Sequence, residues 1–292
     1  MRILILGGGG MLGHRLWLEL SRAHEVWVTV RGSRHDIPDL PGVERGRILE
    51  RVDATNSELL VRAFGRARPE AVINCVGLVK QRAAGNDPSL AIEVNALLPH
   101  RLADVCLTSG SRLIHVSTDC VFSGRDGNYT EKSIPDADDL YGRTKLLGEV
   151  TDSHTLTLRT SIVGRELKER QGLAEWFLAQ QGPVRGYTRS LFSGVTTHQF
   201  SRAVADYVLP HPELQGLYHL SGEPIAKYQL LQLLNSSYRR NSIIEPDDEV
   251  ICDRTLDSSR FRAATGFVAP AWPDMVEEMA SDTYPYDTAI RP

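Results

Sequence analysis

The sequence predicts a doubly wound α/β protein, in which helices cover both faces of a parallel sheet. Three observations carry that expectation. Six short runs of apolar and β-branched residues alternate with longer amphipathic stretches up to Ser161. Most of these runs are nearly continuous in apolar residues, the pattern of strands buried on both faces. A glycine cluster, Gly7-Gly8-Gly9-Gly10, follows the first run at once. Repeated strand–helix–strand units imply right-handed crossovers, and these make the sheet parallel.

In chain order, strands are expected at 2–7, 25–30, 49–53, 71–76, 112–117 and 156–160, and helices at 12–21, 57–66, 89–109 and 141–152. Ser57 and Ser89 suit helix N-caps and Gly110 suits a helix stop. Beyond Ser161 the pattern loosens. A helix over 173–181, a loop punctuated by glycine and proline, and a helix over 198–209 precede a strand over 216–221 that returns to the main sheet. From Glu223 onward there are helical pieces and a proline-spaced tail. The expected division is a dinucleotide-binding domain of residues 1–161, rejoined by 196–221. A smaller, discontinuous C-terminal substrate-binding domain, 162–195 and 222–292, lies beside its ligand cleft.

Hydrophobic residues make up 41% of the chain and charged ones 24%, which places it among soluble globular proteins. A formal net charge of -4 creates no field that favours nucleic acid or an anionic membrane. Neither is an expected partner, so a phosphorylated ligand must be met by local groups. Cys75, Cys106, Cys120 and Cys252 are scattered without a CxxC pair and read as free thiols in a reducing compartment. The apolar start after Met1 is too short for a signal or a membrane span. A cytoplasmic protein is expected, with homodimer formation left open. Histidines and carboxylates show no metal-ligand spacing, so no metal is expected.

Gly7, Gly10 and Gly13 fit a GxxGxxG spacing between a strand and a helix. The first glycine permits a tight turn, the second lets the backbone approach a pyrophosphate, and the third lets helix pack closely on strand. The helix N-terminus, at Met11 and Leu12, offers unpaired N–H groups and a partial positive charge. An NAD-selective site places an acid at the end of strand two. Here that end is Val30-Arg31-Gly32-Ser33-Arg34, with two arginines whose planar donor forks suit a 2′-phosphate. NADPH is the expected cofactor, with NADH as the alternative. Asp53 and Ala54 are placed to meet the adenine, and Cys75, Val76 and Gly77 to line the cleft after strand four.

Tyr141 and Lys145 form a YxxxK pattern at the start of a helix, and a spacing of four puts them on one face. A carbonyl that accepts hydride needs a proton on its oxygen, yet free tyrosine has a pKa of about 10. Lowering it to about 7 takes about 4 kcal/mol. An ammonium about 4 Å away at an effective dielectric of ~20 supplies that much. Thr118, at the end of strand five, would stand in the crevice where open α/β sheets bind ligands. There its hydroxyl could bond the substrate carbonyl.

These motifs resemble the extended short-chain dehydrogenase/reductase superfamily, and within it the nucleotide-sugar 4-ketoreductases of the dTDP-4-dehydrorhamnose reductase type. The most specific stretches are Ser117-Thr118-Asp119-Cys120-Val121-Phe122-Ser123-Gly124 and Tyr141-Gly142-Arg143-Thr144-Lys145-Leu146-Leu147-Gly148-Glu149. Glu93-Val94-Asn95-Ala96, Leu158-Arg159-Thr160-Ser161, Ser193-Gly194-Val195-Thr196-Thr197 and Leu256-Asp257-Ser258-Ser259-Arg260-Phe261 add to it. The resemblance implies a Rossmann-type sheet and hydride transfer to C4 of a nucleotide-activated 4-keto-6-deoxysugar, for a deoxysugar of surface polysaccharide. It implies Thr118 as the catalytic hydroxyl, Tyr141 as proton donor and Lys145 as its partner and a ribose ligand. Asn95 would support an ordered water or a helix break beside the cofactor. Cys120 stands where these reductases have a tyrosine, Ile162 where an aromatic is common, and the loop Val79-Lys80-Gln81-Arg82 also differs.

Lys80, Thr118, Asp119 and Cys120 are the expected sugar-side contacts. Of the basic residues Arg165, Lys168, Arg185, Arg189, Arg254 and Arg260, the last two bracket the family-like tail and are the expected pyrophosphate ligands. His115 and His198 read as structural. Two other readings stand beside the reductase. One is an epimerase or dehydratase with tightly held NAD, against which Arg31 argues. The other is a non-catalytic NADP-binding regulatory subunit, against which the intact Thr118, Tyr141 and Lys145 argue.

Overall fold

The computed structural model describes residues 1–79, 83–168, 171–284 and 286. Strand β1 (Arg2–Leu6) shows how the sheet is buried on both sides. Ile3 and Ile5 point into one apolar core, and Leu4 and Leu6 into another on the opposite face. Strands β2 (Glu25–Thr29), β3 (Ile48–Leu49), β4 (Ala71–Asn74), β5 (Arg112–Thr118) and β6 (Thr155–Thr160) follow in sequence. Four short strands, β7 (Ile162–Val163), β8 (Val184–Tyr187), β9 (Ser190–Phe192) and β10 (Val195–Thr196), precede β11 (Gly216–His219). The main sheet has seven strands in the order β11-β6-β5-β4-β1-β2-β3, all parallel. The expected doubly wound architecture is present, and β11 returns to the sheet edge beside β6.

Helix α1 (Met11–Leu20) covers the Ile3 face with Leu16, Trp17 and Leu20. Helix α2 (Ser57–Ala67) covers the other with Leu60 and Phe64. Each such side chain contributes roughly 1.5–3 kcal/mol by full burial. Asn56, not Ser57, caps α2, its Oδ1 accepting the Leu59 N–H at 3.1 Å. Strand three begins at Ile48 and is shorter than expected, because Arg51 takes a left-handed turn (φ 56°).

The expected continuous helix over 89–109 is broken. It consists of α3 (Pro88–Ala91), a π-turn (Ile92–Leu97) and α4 (Leu98–Ser109), and it is capped by Asp87, whose carboxylate accepts from Ser89 and Leu90. Pro99 has no N–H for the Asn95 carbonyl four residues back, so the ladder bulges there. Gly110 ends α4 in the left-handed conformation (φ 69°). Helix α5 (Leu140–Leu147) stops before the expected end, since Gly148 lies against the Asn95 carbonyl where a Cβ would collide.

Beyond β6, the segments α6 (Leu173–Ala179) and α7 (Thr197–Ala203) are followed by a second π-turn, Val204–Val208. After β11 come β12 (Ile225–Ala226), α8 (Lys227–Ser237), β13 (Ile244–Asp247), β14 (Cys252–Asp253), α9 (Ser259–Thr265) and α10 (Trp272–Ala280). Three small sheets, β10-β7, β13-β8 and β12-β9-β14, were not expected. Helix α7 packs on α1, and α10 packs on α7 and α8. The Ile3 core therefore runs on into Phe261, Trp272 and Met275.

Candidate active site

At the end of β1 the chain turns through Gly7, whose φ of 85° suits glycine. Gly10 donates its N–H to the Gly7 carbonyl at 3.0 Å and stands as N-cap of α1 with no side-chain cap. The first N–H groups of α1, from Met11 and Leu12, are thus available to a phosphate. Gly13 lies on the Gly7 turn, where a Cβ would collide with the Gly7 carbonyl oxygen and stand 2.8 Å from its carbon. The turn, the uncapped N-terminus and the close helix packing together fit a dinucleotide pyrophosphate.

Arg31 is exposed just beyond β2. Arg34 is not equivalent. Its Nε and its backbone N–H both donate to Glu50 Oε2, at 3.2 and 2.9 Å. The Arg34 N–H and guanidinium in turn hold the Glu50 carboxyl below its ordinary range. The expected support from Arg34 is therefore weakened: one edge of its guanidinium is held by a carboxylate sixteen residues away. Replacing Arg31 with alanine should raise the apparent KM for NADPH tenfold or more and leave that for NADH nearly unchanged. The scale is that of one charge-assisted bond, about 1.5–3 kcal/mol. Arg34→Ala should cost less, and steady-state kinetics with both nucleotides checks the pair.

Asp53 is exposed, and its Oδ1 accepts the N–H and hydroxyl of Thr55 at 2.9 and 2.8 Å. Ala54 beside it is buried. After β4, Cys75 donates its N–H to the Leu6 carbonyl and Val76 donates to Asn74 Oδ1, which sets Cys75 and Val76 against the Gly7 turn. Gly77 faces the Asn95 amide. Asn95 accepts the Leu78 N–H at 2.8 Å and donates to the Leu78 carbonyl and to Thr144 Oγ1. It sits in the π-turn and ties the cleft loop to α5. This corrects the cofactor-contact expectation, because its amide is spent on protein groups. Lys80 lies outside the described residues.

Thr118 ends β5. Its Oγ1 accepts the Cys120 N–H at 3.1 Å and donates to Asp119 Oδ1 at 3.1 Å, and the Tyr141 phenol lies close enough for Thr118 to favour its charged form. Asp139 caps α5 by accepting the Gly142 N–H at 2.7 Å, so Tyr141 falls in the first turn. Gly142 lies on the Cys120 carbonyl, where a Cβ would collide. That close approach brings the phenol to the threonine. Gly142, in the first turn of the helix, is the sequence signal for this docking.

Lys145 is buried, and its Nζ donates to the Val116 carbonyl at 2.7 Å. Burial lowers its pKa to about 8, against Glu149 and Cys75, which favour the ammonium. For Tyr141, burial raises the pKa above its ordinary value, with Cys120, Asp119 and Asp139 acting the same way. The expected lowering of the phenol to about 7 is thus corrected. Burial sets the direction, and the Lys145 ammonium is held by a backbone carbonyl. At neutral pH Tyr141 carries its proton.

Asp119 is buried, which raises its pKa, while Arg254 and Lys227 oppose the shift. Arg254 donates from Nε to the Phe122 carbonyl at 2.9 Å. Burial works against its charge, but Cys120, Cys252, Asp119 and Asp139 around it hold the charged form. Thr118, Asp119, Cys120, Tyr141 and Arg254 therefore share one site. Arg260 does not join them, contrary to expectation. Its guanidinium lies 4.3 Å from the Tyr218 ring centroid and donates to the Leu217 carbonyl on edge strand β11. Arg165 is buried on Glu175, and Arg185 pairs with Asp247 and Glu249. His115 bonds Asn74 and His198 bonds Asp282. No disulfide joins Cys75, Cys106, Cys120 or Cys252.

A doubly wound sheet with a glycine turn after its first strand, and a Thr–Tyr pair with a lysine at its fifth, defines an extended dehydrogenase/reductase fold. Residues 1–180 match the model of the RmlD substrate binding domain family, and the chain belongs to that family. Methionine adenosyltransferase 2 subunit beta of Mus musculus is 26% identical over 243 residues, 78% of this chain and 70% of that protein. The dTDP-4-dehydrorhamnose reductase of Mycobacterium tuberculosis is 32% identical over 153 residues, 51% of this chain and 44% of that enzyme. The structure of dTDP-4-dehydrorhamnose reductase from Bacillus anthracis in complex with NADP has the same fold, with a TM-score of 0.79. It is 20% identical and covers 97% of this chain and 99% of that one. Among the described residues, no helix is long and apolar enough to cross a membrane.

Proposed function

We propose that this chain is an NADPH-dependent reductase of a nucleotide-linked 4-keto-6-deoxysugar, acting in deoxysugar synthesis for surface polysaccharide. The observation that carries this reading is the approach of the Tyr141 phenol to Thr118 at the C-terminal end of β5. It sets two hydroxyls side by side where a carbonyl oxygen could accept from both. NADPH supplies the hydride, with NADH as the alternative. Tyr141, held protonated by burial, gives its proton to the carbonyl oxygen as charge develops there. Lys145 stands beneath with its ammonium on the Val116 carbonyl, faces the phenolate that results and would bond a ribose hydroxyl. Gly7, Gly10, Met11, Leu12 and Gly13 would hold the pyrophosphate of the cofactor and Arg31 its 2′-phosphate. Residues 162–195 and 222–292 would hold the nucleotide sugar, through Arg254 beside Asp119 and Cys120. The setting is the cytoplasm, and homodimer formation is left open.

Screening UDP-, dTDP- and GDP-linked 4-ketosugars for NADPH oxidation tests the reading. One of them should turn over. Turnover of none would point to a non-catalytic NADP-binding subunit, and retained NAD in the purified protein to an epimerase. With the active sugar, Arg254→Ala should weaken substrate binding tenfold or more and spare NADPH, on the scale of a bond to a charged group. Arg260→Ala should leave both affinities nearly unchanged, since its guanidinium is spent on β11. Calorimetry with each ligand measures both.

A further inference from the structure

Glu149 follows α5 directly, its N–H donating to the Leu146 carbonyl at 3.1 Å. Its carboxylate is buried and fully engaged. Oε1 accepts from Ser117 Oγ and from Arg159 Nε, each at 2.7 Å, and Oε2 accepts from Arg159 Nη2 at 2.7 Å. One carboxylate thus joins three elements: the end of α5, strand β5 at the residue before Thr118, and strand β6. Arg159 extends the tie. Its Nη1 lies 3.4 Å from His219 Nε2 on β11, and its guanidinium lies 5.1 Å from the centroid of Phe122, which stacks on Tyr129. A bidentate arginine–carboxylate pair fixes angle as well as distance.

The same carboxylate faces Lys145. The other titratable groups around that ammonium are Cys75 from the end of β4 and His115 from β5. Burial pushes the Cys75 thiol up to about 12 and holds His115 well below its ordinary value, so both are neutral near neutral pH. Glu149 is the charged neighbour that opposes the loss of the Lys145 proton.

We propose that Glu149 is a positioning residue, which with Arg159 locks the helix carrying Tyr141 and Lys145 to the strand end carrying Thr118 and supplies the field in which the Lys145 ammonium stands. The proposal rests on the reductase reading for its kinetic consequence alone. The sign follows from the two opposing influences. Burial lowers the Lys145 pKa and Glu149 raises it, so removing the carboxylate makes Lys145 lose its proton at a lower pH.

The test uses the full chain with Glu149→Gln, and with Glu149→Gln/Arg159→Met. The double variant leaves no buried arginine without a counter-charge, which is what would endanger folding of the single variant. The chain has five lysines, so lysine ¹³Cε labelling gives few resonances, and loss of one in Lys145→Met identifies Lys145. Its titration is followed without substrate, and the pH profile of kcat is followed with it. In folded Glu149→Gln, which removes the carboxylate and keeps the Arg159 cation, the Lys145 midpoint should fall and the descending limb of kcat should move down with it. In the double variant, which removes both charges and the tie between helix and strand, kcat should fall. A native midpoint and a native limb in folded Glu149→Gln, or a native kcat in the double variant, would overturn the proposal. If the unmodified chain reduces no 4-ketosugar, the reductase reading fails, and the Lys145 titration still decides the role of Glu149.

Discussion

Tyr141→Phe should lower kcat by about 10²–10⁴-fold, the usual contribution of general acid catalysis, while the fold and the NADPH affinity stay as they are. Phenylalanine keeps the ring and removes only the hydroxyl. What is lost is the proton that burial keeps on the phenol. Two companion variants separate this role from its neighbours. Thr118→Val should lower the rate with little effect on cofactor, because it removes a hydrogen-bond partner and leaves the acid. Lys145→Met should lower kcat and weaken NADPH together, since its ammonium serves the floor of the site and the ribose. Single-turnover measurements, with fluorescence titration of NADPH, separate the three patterns.

The second large effect belongs to Gly13. Gly13→Val would place a branched side chain on the Gly7 carbonyl, where even a methyl group collides with backbone. Backbone cannot rotate away as a flexible side chain can, so α1 must lift from β1. Overpacking of this kind costs typically 1–3 kcal/mol. The displaced N-terminus also takes the Met11 and Leu12 N–H groups away from the pyrophosphate. NADPH affinity should fall by tenfold or more, with a lower midpoint in thermal unfolding. Gly10→Ala is the control. A Cβ there meets only the Gly7 carbonyl oxygen, at 3.4 Å, so protein stability should change little. Binding isotherms and melting curves for both variants check the contrast.

The main sheet was legible because its strands are nearly continuous apolar runs and its glycine turn stands between a strand and a helix. The same holds for Thr118, Tyr141 and Lys145, whose spacing places them on one strand end and one helix face. What was not legible depends on partners distant in sequence. Arg34 looks like a second phosphate ligand until Glu50 is seen to hold it, and Arg260 looks like a site residue until Tyr218 and Leu217 take it to the sheet edge. Lys145 was expected as the partner of the phenol, and its bond to the Val116 carbonyl was not foreseen. The helix over 89–109 concealed its π-turn. Pro99, four residues after Asn95, was the available sign. Strands of two to four residues beyond Ser161 are too short for a period-two pattern to register.

The most direct test of the central claim is single-turnover oxidation of NADPH by a nucleotide-linked 4-ketosugar, measured side by side for the unmodified chain and Tyr141→Phe. The expected result is hydride transfer to C4 by the unmodified chain, slowed by about 10²–10⁴-fold in the variant at equal NADPH occupancy. Equal rates in the two proteins would contradict the assignment of Tyr141 as the acid, and with it the mechanism built on the Thr118–Tyr141 pair.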